Sequence, residues 1–156
     1  MAAAQILQWV RQAFDQRGYR YKADEEENDI EMTFSLDSKL KKCTIRIRCR
    51  DDHYDVNTYI ELQADEECRQ RVAEYITRAN YGLRYGCFEM DFRDGEIRYN
   101  LPMDCQDRTS LSTDLVIKSI MIPMQMFERY GDGLVAVMYG FKTPEEAIKE
   151  AESDND

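Results

Sequence analysis

The sequence predicts an α+β fold with elements in the order α-ββββ-α-ββ-α-α. Three observations carry this. Consecutive segments between residues 30 and 62 alternate apolar with polar side chains at strand period, and two further alternating segments flank Asp94 and Gly95. The remaining apolar residues recur at helical spacing behind cap residues. At 156 residues the chain fits one domain, able to hold a core without disulfide or metal staples. We expect that domain over residues 1–152 and a disordered acidic tail over 153–156.

The first helix is predicted over residues 3–17, where Ile6, Leu7, Val10, Ala13 and Phe14 form one stripe and Gly18 supplies the left-handed residue that ends it. A short strand over 19–23 leads into the acidic run Asp24, Glu25, Glu26, Glu27, Asn28 and Asp29. Its self-repulsion suits a solvated hairpin loop better than a metal site. Three strands follow, with inward rows Ile30, Met32, Phe34, Leu36, then Cys43, Ile45, Ile47, Cys49, then Val56, Ile60, Leu62. The opposite rows read acidic (Glu31, Asp37), basic (Arg46, Arg48, Arg50) and acidic (Asp55, Glu61). Such a ladder sets the three strands side by side, and its acidic flanks neutralise the arginine row as a phosphate-binding stripe.

Asp65 is the expected cap of a second helix, with Glu66, Glu67 and Cys68 in its first turn and Val72, Ala73, Ile76 and Ala79 as its buried stripe, ending near residues 80–82. A hairpin with a two-residue type I′ turn at Asp94 and Gly95 sets Phe88, Met90 and Phe92 against Ile97, Tyr99 and Leu101. Ser112 caps a third helix, stapled by Leu111 and Val116 and running toward Tyr130, which Pro123 must kink or split. Gly131 and Gly133 read as breakers, and residues 134–139 lean to helix over strand. Thr143, Pro144 and Glu146 open a last helix.

Composition excludes several functions. The net charge of −10, from 31 acidic against 21 basic side chains, repels nucleic acid and anionic membranes. The apolar runs at residues 120–124 and 134–141 fall far short of the ~20 residues of a membrane span. The N-terminus lacks the basic and apolar regions of a secretory signal, and the five cysteines are odd in number with no Cys-x-x-Cys pair. A reducing, cytoplasmic location is the expectation.

Phosphate loops, dinucleotide glycine fingerprints, nucleophile elbows and zinc-protease motifs are all missing from the sequence. His53 stands among Asp51, Asp52 and Asp55 in a segment too local for a closed metal cage. Cys68 is the one cysteine placed for activation, and Glu66 and Glu67 oppose its thiolate. No catalytic, cofactor-binding or metal residues are assigned, and no cofactor is expected. What stands out is the third helix, apolar over most of its circumference. Its methionines Met121, Met124 and Met126, with Met138, lie near Phe127 and Tyr139, and methionine suits adaptable binding surfaces. Ile120, Met121, Met124, Phe127 and Met138 are accordingly the candidate protein interface, with an ordinary core helix as the other reading. A pocket between sheet and helices, serving a small-ligand sensor or an enzyme, is the alternative function.

Residues 72–152 resemble the YbjN-domain family, bacterial proteins labelled sensory transduction regulators. The residues that carry the likeness are Asn80, the run Gly86 to Asp91, Asp94 to Tyr99, Leu111 with Ser112, and Gly140 to Ile148. The resemblance implies a YbjN-like domain with a fold similar to the type III secretion chaperones: a twisted antiparallel sheet with helices on one face, commonly dimeric. It also implies chaperone-like binding of a protein segment, a homodimer, and no catalytic residues to carry over. A non-catalytic cytosolic interaction or regulatory module with a protein partner is the resulting expectation.

Overall fold

The computed structural model describes residues 2–153. Helix α1 (Ala2–Gln16) precedes strands β1 (Lys22–Asp24), β2 (Asp29–Ser35), β3 (Lys42–Cys49) and β4 (His53–Ile60). Helix α2 (Arg69–Asn80), the hairpin β5 (Cys87–Met90) and β6 (Ile97–Asp104), and helices α3 (Thr113–Met138) and α4 (Pro144–Ser153) complete the chain. The order is the one predicted. Of the expected acidic tail, Ser153 instead closes α4, and residues 154–156 lie outside the described residues.

The six strands form one open antiparallel sheet in the order β1-β2-β3-β4-β6-β5. Residues two apart share a face, so the register aligns Met32, Ile45, Thr58, Tyr99 and Phe88 in one inward row, and Ile30, Ile47, Val56 and Leu101 in the next. Helices α1, α2 and α3 cover these rows through buried stripes of their own. On the open face Arg48 stands between Asp29 and Asp55, and Arg46 between Glu31 and Asn57, as the charge ladder requires. The pairs Arg48–Asp29 at 3.3 Å, Arg46–Glu31 at 3.6 Å and Lys42–Glu61 at 2.9 Å are half-exposed. Each is worth at most about 1 kcal/mol, so the ladder selects strand neighbours more than it adds stability.

Cap chemistry sets the helix ends. After α1 the Tyr19 amide donates to the Phe14 carbonyl at 3.0 Å and the Gly18 amide to Asp15 at 3.2 Å, a Schellman ending that needs Gly18 at φ +71°. At α4 the capping box is complete, since the Thr143 amide donates to Glu146 Oε1 at 3.1 Å and the Glu146 amide to Thr143 Oγ1 at 3.2 Å.

Three expectations need correction. Helix α2 starts a turn late, at Arg69: Asp65 accepts the Cys68 amide at 3.2 Å in a turn that leads directly into the helix, and Tyr75 rather than Ala73 joins the buried stripe. The β5–β6 hairpin has a wider loop than a two-residue turn, because Phe88 pairs with Tyr99 and Met90 with Ile97. The change of register is two residues, which keeps every inward side chain inward but leaves Phe92 in the loop and exposed. Gly95 takes φ +79° there and donates to the Asp91 carbonyl at 2.7 Å, with no room for a side chain against the Ala64 backbone.

The third correction concerns α3, which runs unbroken through Pro123, Gly131 and Gly133. Both glycines are contact residues and not breakers. A Cβ at Gly131 would meet the Leu40 side chain at 2.8 Å, and one at Gly133 would collide with the Tyr75 hydroxyl.

Candidate functional site

Helix α3 carries the methionine set, and the structure divides it. Ile120 and Phe127 are fully buried and Met138 nearly so, whereas Met121 is 37% exposed and Met124 is half-buried. The five residues expected to form one interface therefore do not share a surface. Ile120, Phe127 and Leu134 are seven apart, so they fall on the stripe that faces the sheet and α2, where Phe127 meets the Phe88 ring edge-on at 5.2 Å. Only Met121 and part of Met124 reach solvent.

Further along α3, against α4, lies an open groove of about 820 Å³. Val135, Ala136, Ala147 and Ala151 line it with small apolar side chains, and Gln125, Glu128, Arg129, Asp132, Lys142 and Glu150 add polar groups. At its mouth the helix ends in a second Schellman turn. The Phe141 amide donates to Ala136 at 2.8 Å and the Gly140 amide to Val137 at 3.2 Å, with Gly140 at φ +74°. This turn holds Tyr139 at 62% and Phe141 at 80% exposure, with their rings 6.4 Å apart. Arg71 of α2 fixes it from behind, donating to the carbonyl oxygens of Val137 and Met138 at 2.7 Å each.

Several of the polar groups are engaged. Lys142 pairs with Glu150. Glu128 Oε1 accepts the Asp37 amide at 2.7 Å and Asp132 Oδ1 the Lys39 amide at 2.8 Å, tying the β2–β3 connection to α3. Both acids hold the loop in place by accepting its backbone amides. Sequence reasoning missed this groove because α4 shows only a short amphipathic pattern. The aromatic pair flanking Gly140 was the available signal.

The residues tested for chemistry stay apart. His53 lies 2.6 Å from Asp52 and 3.4 Å from Asp55 on the open sheet face, and its hydrogen bond to Asp52 raises its pKa above the ordinary range. Cys43, Cys49, Cys68 and Cys105 are buried thiols, and Cys87 is half-buried. Burial pushes Cys43 up to about 11 and Cys49 up to about 12, so neither is a thiolate at neutral pH. Among the described residues no group of three or more His, Cys, Asp or Glu side chains could hold a metal ion. No helix there is long and apolar enough to cross a membrane.

Comparison with known proteins adds one finding. A family model described as "YbjN: Putative bacterial sensory transduction regulator" matches residues 7–135, which takes in most of α1 and the first four strands as well as the hairpin. Residues 140–148, part of the original resemblance, fall beyond the match. No curated protein matches the chain.

Proposed function

The chain belongs to the YbjN family, and from that premise we propose that it is a non-catalytic regulatory module that holds a segment of another protein in the groove between α3 and α4. The observation that carries this reading is the pairing of an apolar floor with the Phe141 ring, which lines the groove while 80% exposed and has the exposed Tyr139 ring 6.4 Å away. Burying a phenylalanine side chain is worth roughly 1.5–3 kcal/mol, most of which Phe141 forgoes in the free chain and would recover against a partner. Because the floor residues are small, the partner supplies the bulk, as a segment with large apolar side chains along one face. Charges of both signs around the groove suit a segment of mixed charge.

The small-ligand alternative has less support. Between the sheet and helices, the space bounded by Tyr75, Ile76, Phe88, Phe127, Tyr130 and Leu134 has no room for a water molecule. A ligand at that point would have to displace the aromatic core.

A photo-crosslinking residue at position 136 tests the proposal in the native cell, with one at the exposed Arg46 on the open sheet face as the comparison. A defined protein adduct from position 136 that fades with Phe141→Ala is the expected result. Adducts from position 46 with none from 136 would refute it. Light scattering on the purified chain decides the expected homodimer independently.

A further inference from the structure

A second surface lies where the loop from α2 to β5 meets the first half of α3. Tyr81 is 91% exposed and Tyr85 41% exposed. The Arg84 guanidinium lies 5.2 Å from the centre of the Tyr85 ring, and Lys118 Nζ of α3 lies 5.1 Å from the same centre. Both charges therefore sit within about one Debye length of each other at ordinary salt. Among the described residues neither forms an ion pair. The acid one turn before Lys118 on α3 is taken, since Asp114 pairs with Arg17, and Glu74 in the last turns of α2 pairs with Arg78 at 2.9 Å. On a chain of net charge −10, two cations converge on one exposed ring and are left without counter-charge.

The backbone under them is fixed. Gly82 and Gly86 take φ +83° and +72°, and a Cβ at Gly86 would strike the Asn100 carbonyl. The Leu83 amide donates to Asn80 at 3.0 Å and the Tyr99 hydroxyl to the Tyr85 carbonyl. The Asn80 side chain donates to the Phe88 carbonyl at 2.9 Å and accepts its amide at 2.7 Å, so that it stands in for the missing neighbour of edge strand β5. A partner meeting this loop has little ordering entropy left to overcome.

We propose that Arg84, Tyr85 and Lys118 form a docking site for an acidic segment of a partner protein, whose carboxylates bridge the two cations while Tyr81 covers an apolar neighbour. A nucleic acid is the poorer fit, because its extended charge would meet the repulsive field of the rest of the chain. The inference rests on the reading above only in taking the partner to be a protein, and it concerns a different surface.

The test is an NMR titration of the full chain with a short blocked peptide of glutamate and leucine. Saturable shifts of the Arg84, Tyr85 and Lys118 amides are expected. Affinity should fall about tenfold in Lys118→Glu, while Lys22→Glu, an equal change of net charge, leaves it in place. Four results would each overturn the proposal: no shifts at these residues, equal loss in Lys22→Glu, an equal response to inorganic phosphate or a single-stranded oligonucleotide, or shifts that depend on protein concentration alone. Crosslinks at position 136 depend on the groove and not on Lys118, so the two proposals fail separately.

Discussion

Replacing Arg71 should loosen the end of α3 more than any other exposed-to-buried contact of α2 would suggest. Its Nε and Nη2 donate to the carbonyls of Val137 and Met138 at 2.7 Å each, and its Nη1 to the Glu67 carbonyl at 3.3 Å. The last carbonyls of a helix have no intrahelical donor, and a cation there also meets the negative end of the helix dipole. Hydrogen bonds from a charged donor contribute about 1.5–3 kcal/mol each, but the terms do not add. The Val137 carbonyl also keeps the Gly140 amide at 3.2 Å. Arg71→Met, which preserves the aliphatic stem, should therefore cost about 2–3 kcal/mol. Arg71→Lys keeps the charge but not the fork, and should cost about half as much. Urea denaturation measures both, and the Met variant should melt about 4–12 °C lower. A Met variant within about 0.5 kcal/mol of wild type, the spread of ordinary surface substitutions, would refute the reasoning. So would a Lys variant as stable as wild type.

Gly133→Ala tests packing against propensity. Alanine alone would favour the helix by about 1 kcal/mol, but its Cβ collides with the buried Tyr75 hydroxyl, which donates to the Tyr130 carbonyl at 2.7 Å. Net destabilisation of about 1–3 kcal/mol in urea is expected, and a more stable variant would refute the contact. Thr58 is fully buried with no partner for Oγ1, so Thr58→Val should raise stability by about 1 kcal/mol, read by the same assay. For His53, the bond to Asp52 and the charge of Asp55 raise the folded pKa. The folded chain thus holds that proton more tightly than the unfolded chain. The contribution is full below the unfolded value of about 6.5 and disappears as pH rises through the folded one. Calorimetry should find His53→Gln more destabilising at about pH 5.5 than at about pH 9, by a small margin because the ring is partly exposed. Equal decrements at both would refute it.

The sequence was most legible where a local rule had one outcome. The α1 stripe with Gly18, the Thr143 capping box and the β2–β3–β4 ladder needed no tertiary information, and they stand as read. The hairpin register failed because a shift of two residues leaves the inward and outward faces unchanged, so the apolar pattern cannot distinguish the two alignments. Gly131 and Gly133 read as breakers because the partners that exclude a side chain, Leu40 and Tyr75, come from distant segments. Tyr54, beside His53, falls outside the predicted inward row of Val56, Ile60 and Leu62, yet it is fully buried with its hydroxyl donating to Ser119 Oγ at 3.0 Å. The groove and the Tyr85 cations share that limit, since each is made by residues from separate elements.

The apolar excess of α3 bears most directly on function. One sheet face cannot cover a helix that is hydrophobic over most of its circumference, and a binding partner is the obvious remedy. Here the cover comes from within the chain. Helices α1, α2 and α4 and strands β4 and β6 all pack on α3, with Gly133 making room for Tyr75 of α2 and Gly131 for Leu40 of the β2–β3 connection. Methionine content along α3 is therefore no measure of stickiness, because Met138 is spent on the core along with Ile120 and Phe127. The large hydrophobic side chains left in solvent lie to either side of the polar stripe of Gln125, Arg129 and Asp132: Met121, beside Lys118 and the Tyr85 loop, and Tyr139 and Phe141 beyond Met138. Both end surfaces involve turns held by left-handed glycines, Gly82 and Gly86 at one and Gly140 at the other. With its apolar stripe covered by the rest of the chain, α3 is a support with a fixed turn against each end, and Arg71 acts directly on the one at Gly140, because its guanidinium holds the carbonyls of Val137 and Met138.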